Sequence, residues 1–432
     1  MHAFRFPEDF RLGVASAATQ IEGGDTNNSW YDWCCAGHIK DGSTTLNAND
    51  HYHRWQEDLD LMVSMGIRHC RFGVEWSRIE PEEGRFDEAA LAHYRTEIEA
   101  MVEAGVRPLL TLHHFTNPRW FEAMGAFENP RCVELYLRFA EKVVRAVGDL
   151  VGEYITINEP NVYTLNGYFG GGWPPGKNSL GAYRTVLTHM TACHIAGYQM
   201  LHRVRREMGY DDTRVSFANH LRVFQPYNKL VPLHRFFAWF AEKAFQGGIS
   251  RAMCLGEQVF PLKAHPMIQK GRWCDFHAIN YYSRSTISGL KDGVSPNVPV
   301  NDLGWEIYPD GIAEVCRKLH DITPLDIYIT ENGTCDNTDT FRSRYIYEHL
   351  KALSESDLPI KRYYHWCFCD NFEWLEGESA RFGLVHIDYS TQQRTVKESG
   401  KFYSEMIAQH GVSEELYEQY CRQDYHTAEE KL

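Results

Sequence analysis

The stretch Tyr154-Ile155-Thr156-Ile157-Asn158-Glu159-Pro160 indicates the kind of fold that this chain adopts. The run from Tyr154 to Asn158 is rich in β-branched and aromatic residues and is continuous rather than alternating. Such a run is expected of a parallel strand that is buried on both faces. Seven further runs rich in such residues recur along the 432 residues: Phe10–Ala15, His69–Trp76, Arg107–His114, Arg214–His220, Phe276–Tyr282, Asp326–Glu331 and Arg362–Cys369.

Helical patterns lie between these runs. One pattern follows Asp50, a predicted N-cap, and continues through Trp55, Leu59 and Met62 until Gly66. A second follows Asn129-Pro130 and ends at Gly148, with its apolar stripe at Val133, Leu137, Ala140, Val144 and Val147.

Eight strand–helix units without a Pro/Ser-rich linker predict an α/β fold, a single closed (β/α)8 TIM barrel over residues 1–432. The length beyond the ~250 residues of a typical barrel is expected in extended βα loops. These loops are Trp30–Asn49, Gly167–Ala182 and Lys291–Leu303. A polar C-terminal tail from about residue 414 is expected to be peripheral.

Charge and composition argue against several classes of partner. Forty-four basic and fifty-eight acidic residues give a net charge of -14, which opposes binding to nucleic acid or an anionic membrane. The segment Met1–Gly13 lacks the apolar core of a signal peptide. Twelve cysteines without metal or redox spacing fit free thiols, and the sequon Asn332-Gly333-Thr334 adjoins a predicted catalytic position. We therefore expect a cytoplasmic protein.

The C-terminal ends of barrel strands form the active-site face of this fold. Two carboxylates, Glu159 and Glu331, follow apolar runs at strands four and seven. A single glutamate in such a place is usually a solvated loop charge, but two of them suit the opening of an acetal. That reaction needs an acid to protonate the leaving oxygen and a carboxylate to attack the anomeric carbon. The strand-end rule selects eight positions in all: Gln20, Arg71, His114, Glu159, Asn219, Tyr282, Glu331 and Trp366.

Several short motifs give these positions a family context. They are Gln20-Ile21-Glu22-Gly23, Arg71-Phe72, Trp76-Ser77-Arg78-Ile79, Asn158-Glu159-Pro160, Asn280-Tyr281-Tyr282, Thr330-Glu331-Asn332-Gly333 and Asp370-Asn371-Phe372-Glu373-Trp374. In order and spacing they resemble glycoside hydrolase family one, the β-glucosidases. The resemblance runs from about Phe6 to Tyr403, and it implies a retaining hydrolase that uses no cofactor and no metal.

The resemblance also implies a role for each matched residue. Glu331 would be the nucleophile and Glu159 the acid/base, while Arg71 and Asn280 would support the nucleophile. Substrate would be a terminal β-glucoside, with galactosides and fucosides left open. It would be bound by Gln20, His114, Asn158, Tyr282, Trp366, Glu373 and Trp374, with Asn158 on the 2-hydroxyl, Trp366 as the stacking floor, and Tyr282 also hydrogen-bonding Glu331.

Two alternative functions and one nucleotide-binding motif have weaker support in the sequence. A 6-phospho-β-glucosidase would need phosphate-binding residues where this chain has Glu373, Ala380 and Phe382. A non-catalytic sugar-binding relative would typically lack one of the two glutamates. The segment Gly171–Lys177 resembles a phosphate-binding loop but is one residue short, and its two prolines remove backbone donors.

The leaving-group side is less specified, with Trp173, Asn219 and Trp305 as candidates. The expected partner is a small carbohydrate or aryl β-glycoside. The sequence does not indicate an oligomeric state.

Overall fold

The computed structural model describes residues 2–428 and contains a closed barrel of eight parallel strands. Each strand pairs with the next in the chain, and the eighth pairs with the first. The strands are β1 Arg11–Ala15, β2 His69–Gly73, β3 Arg107–Thr111, β4 Glu153–Asn158, β5 Arg214–Pro226, β6 His277–Ser288, β7 Ile327–Asn332 and β8 Ile360–Trp366. The predicted (β/α)8 barrel is confirmed.

A ring of helices covers the strands. Its members are α1 His51–Ser64, α2 Glu88–Glu103, α3 Cys132–Val147, α4 Leu180–Glu207, α5 Gly248–Leu255, α6 Asp310–Ile322, α7 Arg342–Ser354 and α8 Glu398–Gln409. Further helices lie in the loops and at the C-terminus: Ala18–Ile21, Ser29–Cys35, Trp76–Ile79, Arg119–Ala123, Ala126–Glu128, Pro160–Thr164, Leu165–Phe169, Pro232–Glu242, Lys243–Gly247, Trp374–Glu376 and Glu414–Tyr420.

The helix boundaries follow local side-chain chemistry. The carboxylate of Asp87 accepts hydrogen bonds from the first backbone N–H groups of α2, and Ser179 caps α4 in the same way. Helix α1 begins after Asp50 as predicted, but the capping role of that residue was wrong. Its backbone is left-handed, and its carboxylate bonds to the ring of His53 at 2.7 Å rather than to a backbone N–H.

Two barrel strands are longer than their apolar runs. Strands β5 and β6 continue past the barrel rim as a paired extension up to Pro226 and Ile287, and Lys291–Gly293 adds an antiparallel strand to it. Outside the barrel, three two-stranded pairings join Phe4–Arg5 to Gly411–Val412, Val385–Asp388 to Gln393–Val396, and Pro299–Val300 to His426–Thr427. The extension raises one wall of the barrel mouth.

The remaining segments pack around this frame. One core cluster fills the barrel interior, including Leu109, Ile155 and Ala218, and a larger one lies between strands and helices. The C-terminal segment from about residue 414 lies outside the barrel, where Leu416 and Tyr420 are buried. All twelve cysteines are unpaired. No helix within residues 2–428 has both the length and the apolarity required to cross a membrane.

Candidate active site

A cavity of about 300 Å³ opens at the C-terminal ends of the barrel strands. Glu159 and Glu331 both line it. Five of the predicted sugar-binding residues are in its wall as well: His114, Tyr282, Trp366, Glu373 and Trp374. The structure thus brings together side chains from six consecutive barrel strands, β3 to β8, or from the loops that follow them.

The backbone at the two glutamates departs from regular strand geometry. Glu159 has φ 41 and ψ 58, and Pro160 begins a short helix directly after it. Strand β7 has an irregular register next to Glu331, a feature that re-aims side chains near active sites. Gly333 allows close packing here, because a Cβ at that position would lie 1.8 Å from the carbonyl oxygen of Trp366. The chain therefore turns sharply where the carboxylates project.

Glu331 is held by two donors. The guanidinium of Arg71 bonds to Oε1, and the hydroxyl of Tyr282 donates to Oε2 at 2.6 Å. Burial raises the pKa of Glu331 to about 7, against the opposing effects of Arg71 and Tyr282, and the nearby charge of Glu159 also raises it. Both oxygens are fixed in direction, as an attacking carboxylate requires.

Glu159 has a different set of partners. Its Oε1 accepts from Asn280 Nδ2 at 2.8 Å and lies 3.0 Å from His220 Nδ1. Burial raises the pKa of Glu159, whereas its contacts with His220 and Asn280 and the charge of Arg71 act in the opposite direction. Asn280 lies opposite Glu331 in the pairing of β6 with β7, but its side-chain amide bonds to Glu159 and not to the nucleophile. Thr330 donates to Asn280 Oδ1 at 2.7 Å and turns the amide N–H2 group towards Glu159.

A second layer of polar residues lies behind the cavity wall. Asn158 Oδ1 accepts from Arg71 at 2.6 Å, and Asn158 Nδ2 lies 3.0 Å from His114 Nε2. Burial and the charge of Arg71 hold the pKa of His114 well below its ordinary value, so the ring is neutral. Because the Asn158 amide donates to Nε2, the single proton of the ring lies on Nδ1. Within the described chain, His114 Nδ1 has no hydrogen-bond partner.

Glu373 lies at the opposite side of the mouth. Its Oε2 is 3.5 Å from Gln20 Nε2 and 3.4 Å from Trp366 Nε1. Burial raises the pKa of Glu373 to about 8, and the charges of Glu331 and Glu159 add to the effect. Gln20 is fully buried and also donates to the carbonyl of Phe372 at 2.8 Å. Its Oε1 has no partner among residues 2–428.

On the leaving-group side, the structure separates the three candidates. Trp173 and Trp305 line the cavity. The prediction for Asn219 was wrong, because its amide donates to Ser250 on α5 at 2.7 Å and does not reach the cavity. His220, the next residue, faces the site instead, together with Arg222. Sequence analysis missed both of them.

The rest of the described chain offers no second centre of titratable groups suited to metal or phosphate chemistry. Among residues 2–428 there is no cluster of three or more His, Cys, Asp or Glu side chains suited to a metal ion. Lys177, at the end of the segment that resembles a phosphate-binding loop, forms an ion pair with Glu128. The titratable groups that gather in the cavity are therefore those of the barrel mouth.

Comparison with known proteins gives the same assignment. The model of Glycosyl hydrolase family 1 matches residues 2–412. A β-glucosidase of Agrobacterium sp. is 30% identical, with 95% of this chain and 98% of that protein covered. The solved β-glycosidase of Pyrococcus horikoshii has a TM-score of 0.89 at 30% identity, covering 98% of this chain and 99% of that one.

A further solved structure is the β-glucosidase of Thermotoga maritima in complex with deoxynojirimycin. It has a TM-score of 0.86 at 29% identity and covers 95% of this chain and 100% of that one. With a family match over nearly the whole chain, and with its two strand-end glutamates at one cavity, this chain belongs to glycosyl hydrolase family 1 and is a glycoside hydrolase of the β-glucosidase type.

Proposed function

We propose that the protein is a retaining β-glycosidase that removes terminal non-reducing β-D-glucosyl residues from β-glucosides and short oligosaccharides. The observation that carries this proposal is the unequal support of two carboxyls at one cavity. Glu331 is fixed at both oxygens by Arg71 and Tyr282, whereas the hydrogen bonds to Glu159 from residues 2–428 reach Oε1 only. One carboxylate is thus aimed, and the other keeps an oxygen free for proton transfer.

The reaction consists of two displacements. In the first, Glu331 attacks the anomeric carbon while Glu159 gives its proton to the glycosidic oxygen, and the aglycone leaves as an alcohol. In the second, the ionised Glu159 removes a proton from water, which attacks the anomeric carbon and releases Glu331. Because Glu331 is a neutral ester between the two steps, the like charge that raises the proton affinity of Glu159 is then removed.

Sugar hydroxyls would meet the remaining polar atoms of the site. Asn158 Nδ2 has two protons, and only one is required by His114, so the other can bond the 2-hydroxyl. His114 Nδ1 and Gln20 Oε1 are buried atoms free of partners in the described residues, and they supply a donor and an acceptor. Glu373 would bind hydroxyls beside Gln20, and the ring of Trp366 would stack on the sugar face.

Galactosides and fucosides are further candidate substrates, since the hydroxyl partners identified here are not tied to one epimer. A cytoplasmic location is part of the proposal. It is supported by the twelve unpaired thiols and by Asn332, whose sequon amide is buried and donates to Tyr281 and Tyr345. A glycan on that amide would require this packing to open.

The test separates the roles of the two glutamates. We expect Glu331→Ala to lower kcat on p-nitrophenyl β-glucoside by about 10⁴-fold or more, because no nucleophile remains. Added azide should restore turnover and give the α-glycosyl azide. Glu159→Ala should keep activity on aryl glucosides with good leaving groups, and azide should then yield the β-glycosyl azide.

Anomeric product analysis by NMR reads the outcome. Wild-type enzyme should release the β-anomer first, and Glu331→Gln should show whether the loss depends on charge rather than on space. If the two alanine variants gave exchanged azide products, the nucleophile and acid/base assignments would be reversed. An initial α-anomer from the wild type would overturn the retaining mechanism.

A further inference from the structure

His220 forms a link between the acid/base residue and an arginine on the extended wall. Its Nδ1 lies 3.0 Å from Glu159 Oε1, and its Nε2 lies 3.0 Å from Arg222 Nε. The imidazole is 7% exposed and stacks on the ring of Tyr282 at 5.8 Å. Both ring nitrogens therefore have partners. The carboxyl of Glu159 can accept or give a proton, whereas the guanidinium of Arg222 can only donate a hydrogen bond.

The arginine determines the tautomer of the imidazole. A guanidinium has only donors, so Arg222 Nε must donate to His220 Nε2, and that nitrogen must be unprotonated. The remaining proton of a neutral imidazole is then on Nδ1, directed at Glu159. A doubly protonated His220 would place an N–H against an N–H and a positive charge against a positive charge.

Arg222 is well fixed for this purpose. Its backbone N–H donates to Gln246 Oε1 at 2.8 Å, and its carbonyl accepts from Gln246 Nε2 at 2.9 Å. The guanidinium lies over the ring of Phe245 at 5.7 Å and is 3.5 Å from Asp292. The extension of β5, which has no part in closing the barrel, thus holds Arg222 at the imidazole.

We propose that Arg222 is a positioning residue that acts through His220, excluding the imidazolium form so that the catalytic proton is on Glu159. This inference rests on the retaining mechanism proposed above. The titrating proton of this pair can lie either on the carboxyl of Glu159 or on Nε2 of His220, the nitrogen that faces Arg222. On Glu159 it can be given to the glycosidic oxygen, whereas on His220 it forms an ion pair with a Glu159 carboxylate that cannot act as an acid.

The other groups around His220 do not determine whether the proton lies on Glu159 or on His220. Tyr282, from β6, faces the ring with its π surface, and its hydroxyl is used by Glu331. Phe245 packs at the edge and is apolar. The negative charges of Glu159 and, beyond Tyr282, of Glu331 favour an imidazolium, while Arg222 opposes it. Asp292 is 52% exposed and offsets the arginine only weakly.

The experiment uses Arg222→Met and a series of aryl β-glucosides of similar size and increasing leaving-group pKa. With poor leaving groups, which need the acid, we expect kcat/KM to fall about tenfold or more. With 2,4-dinitrophenyl β-glucoside the fall should stay below about threefold. A loss of aglycone binding would instead appear as a uniform rise in KM across the series.

The pH profile gives an independent readout. Once His220 can share the proton, the last proton leaves the Glu159–His220 pair at higher pH. The alkaline limb of kcat/KM should therefore move up by about half a pH unit or more, while the plateau falls. A purely structural defect would lower the plateau and leave the limb in place. A limb that moved to lower pH would contradict the proposal.

A double variant provides the matched control. In His220→Asn the amide can donate to Glu159 but cannot ionise. We expect Arg222→Met to cost less than about threefold on that background, against tenfold or more on the wild type. Equal losses on both backgrounds would overturn the proposal. If Arg222→Met does not fold, Arg222→Leu provides the same test. A wild type without glucosidase activity would refute the proposed function rather than this inference.

Discussion

The two ends of the barrel treat buried charge differently. At the C-terminal end, the carboxyls of Glu159, Glu331 and Glu373 share one cavity, and the pKa values of Glu331 and Glu373 are raised to about 7 and about 8. At the N-terminal end, acidic and basic side chains are matched around a surface groove. The first arrangement is electrostatically unfavourable, and the second is not.

Three arginines show the pairing of charges at the N-terminal end of the barrel. Arg205 bonds to Asp212 at 2.8 Å and to the carbonyl of Gly148 at 2.9 Å. Arg214 bonds to Asp326 at 3.1 Å, and Arg362 lies 3.6 Å from Glu153. We infer that charge at this end serves stability, whereas the three carboxyls that share one buried cavity at the other end reduce stability and serve catalysis.

The largest expected effect comes from Glu373→Gln. An acid whose pKa is about 8 when folded and near 4.5 when unfolded reduces stability as pH rises through that interval. The variant avoids this loss, so its stability relative to the wild type should increase from pH 5 to pH 8 by up to about 4 kcal/mol. Above about pH 8, where Glu373 is ionised, its kcat/KM on p-nitrophenyl β-glucoside should fall about a hundredfold, because charged hydrogen bonds to sugar hydroxyls are lost.

Chemical denaturation at several pH values measures the stability change. The control is Glu376→Gln, which alters a nearby carboxylate that pairs with Lys40 at the surface. It should stay within about 0.5 kcal/mol of the wild type at pH 7. A Glu373→Gln variant that lost stability with rising pH would show that this carboxyl is not strained in the folded protein.

The second prediction concerns phosphorylated substrates. A phosphate on the sugar 6-hydroxyl would face Glu373, and the nearby Ala380 and Phe382 offer no side-chain donor. Above about pH 8, where Glu373 is ionised, repulsion between its carboxylate and the phosphate at an effective dielectric near 20 amounts to several kcal/mol at contact distances of a few Å. We expect at least a thousandfold preference, about 4 kcal/mol, for p-nitrophenyl β-glucoside over its 6-phosphate.

Parallel kinetics on the two substrates measure this preference. Glu373→Ser should narrow it, mainly through lost activity on the neutral substrate. Faster cleavage of the phosphorylated substrate by the wild type would make 6-phospho-β-glucosidase the better assignment.

The smallest effect is expected at the matched end. Arg205→Met removes hydrogen bonds from a side chain that is 2% exposed, which should lower the free energy of unfolding by about 2 kcal/mol. Its kcat/KM should match the wild type. Arg206→Met, on the same helix with a 71% exposed side chain, should change stability by less than about 0.5 kcal/mol. A lower kcat/KM in Arg205→Met would contradict the inference that charge at the N-terminal end serves stability and not catalysis.

Much of the fold was predictable, because buried parallel strands have a strong sequence signal. The run Tyr154–Asn158 differs from β4 by one residue at its start. The extension of β5 and β6 was missed because beyond His220 the residues become mixed and partly exposed, and their pairing depends on two strands far apart in sequence. Such pairing is determined by the barrel that brings the strands together.

Site residues within a short sequence motif could be predicted. Residues whose direction depends on strand register were harder to predict. Asn219 and His220 are neighbours on β5, so their side chains point to opposite faces. Choosing Asn219 selected the face that meets α5, one residue from the side chain that contacts Glu159. The bond from Asn280 to Glu159 was not predicted, because the orientation of the Asn280 amide depends on Thr330, on another strand.

The cavity that holds both glutamates has a floor formed by the packed barrel interior. A polymer can therefore insert an end but cannot thread through or lie across the reacting carbons. Degradation of a long glucan would proceed one terminal unit at a time, at a rate proportional to the number of chain ends rather than to the mass of polymer. Free sugar would accumulate while the viscosity of the solution scarcely changed.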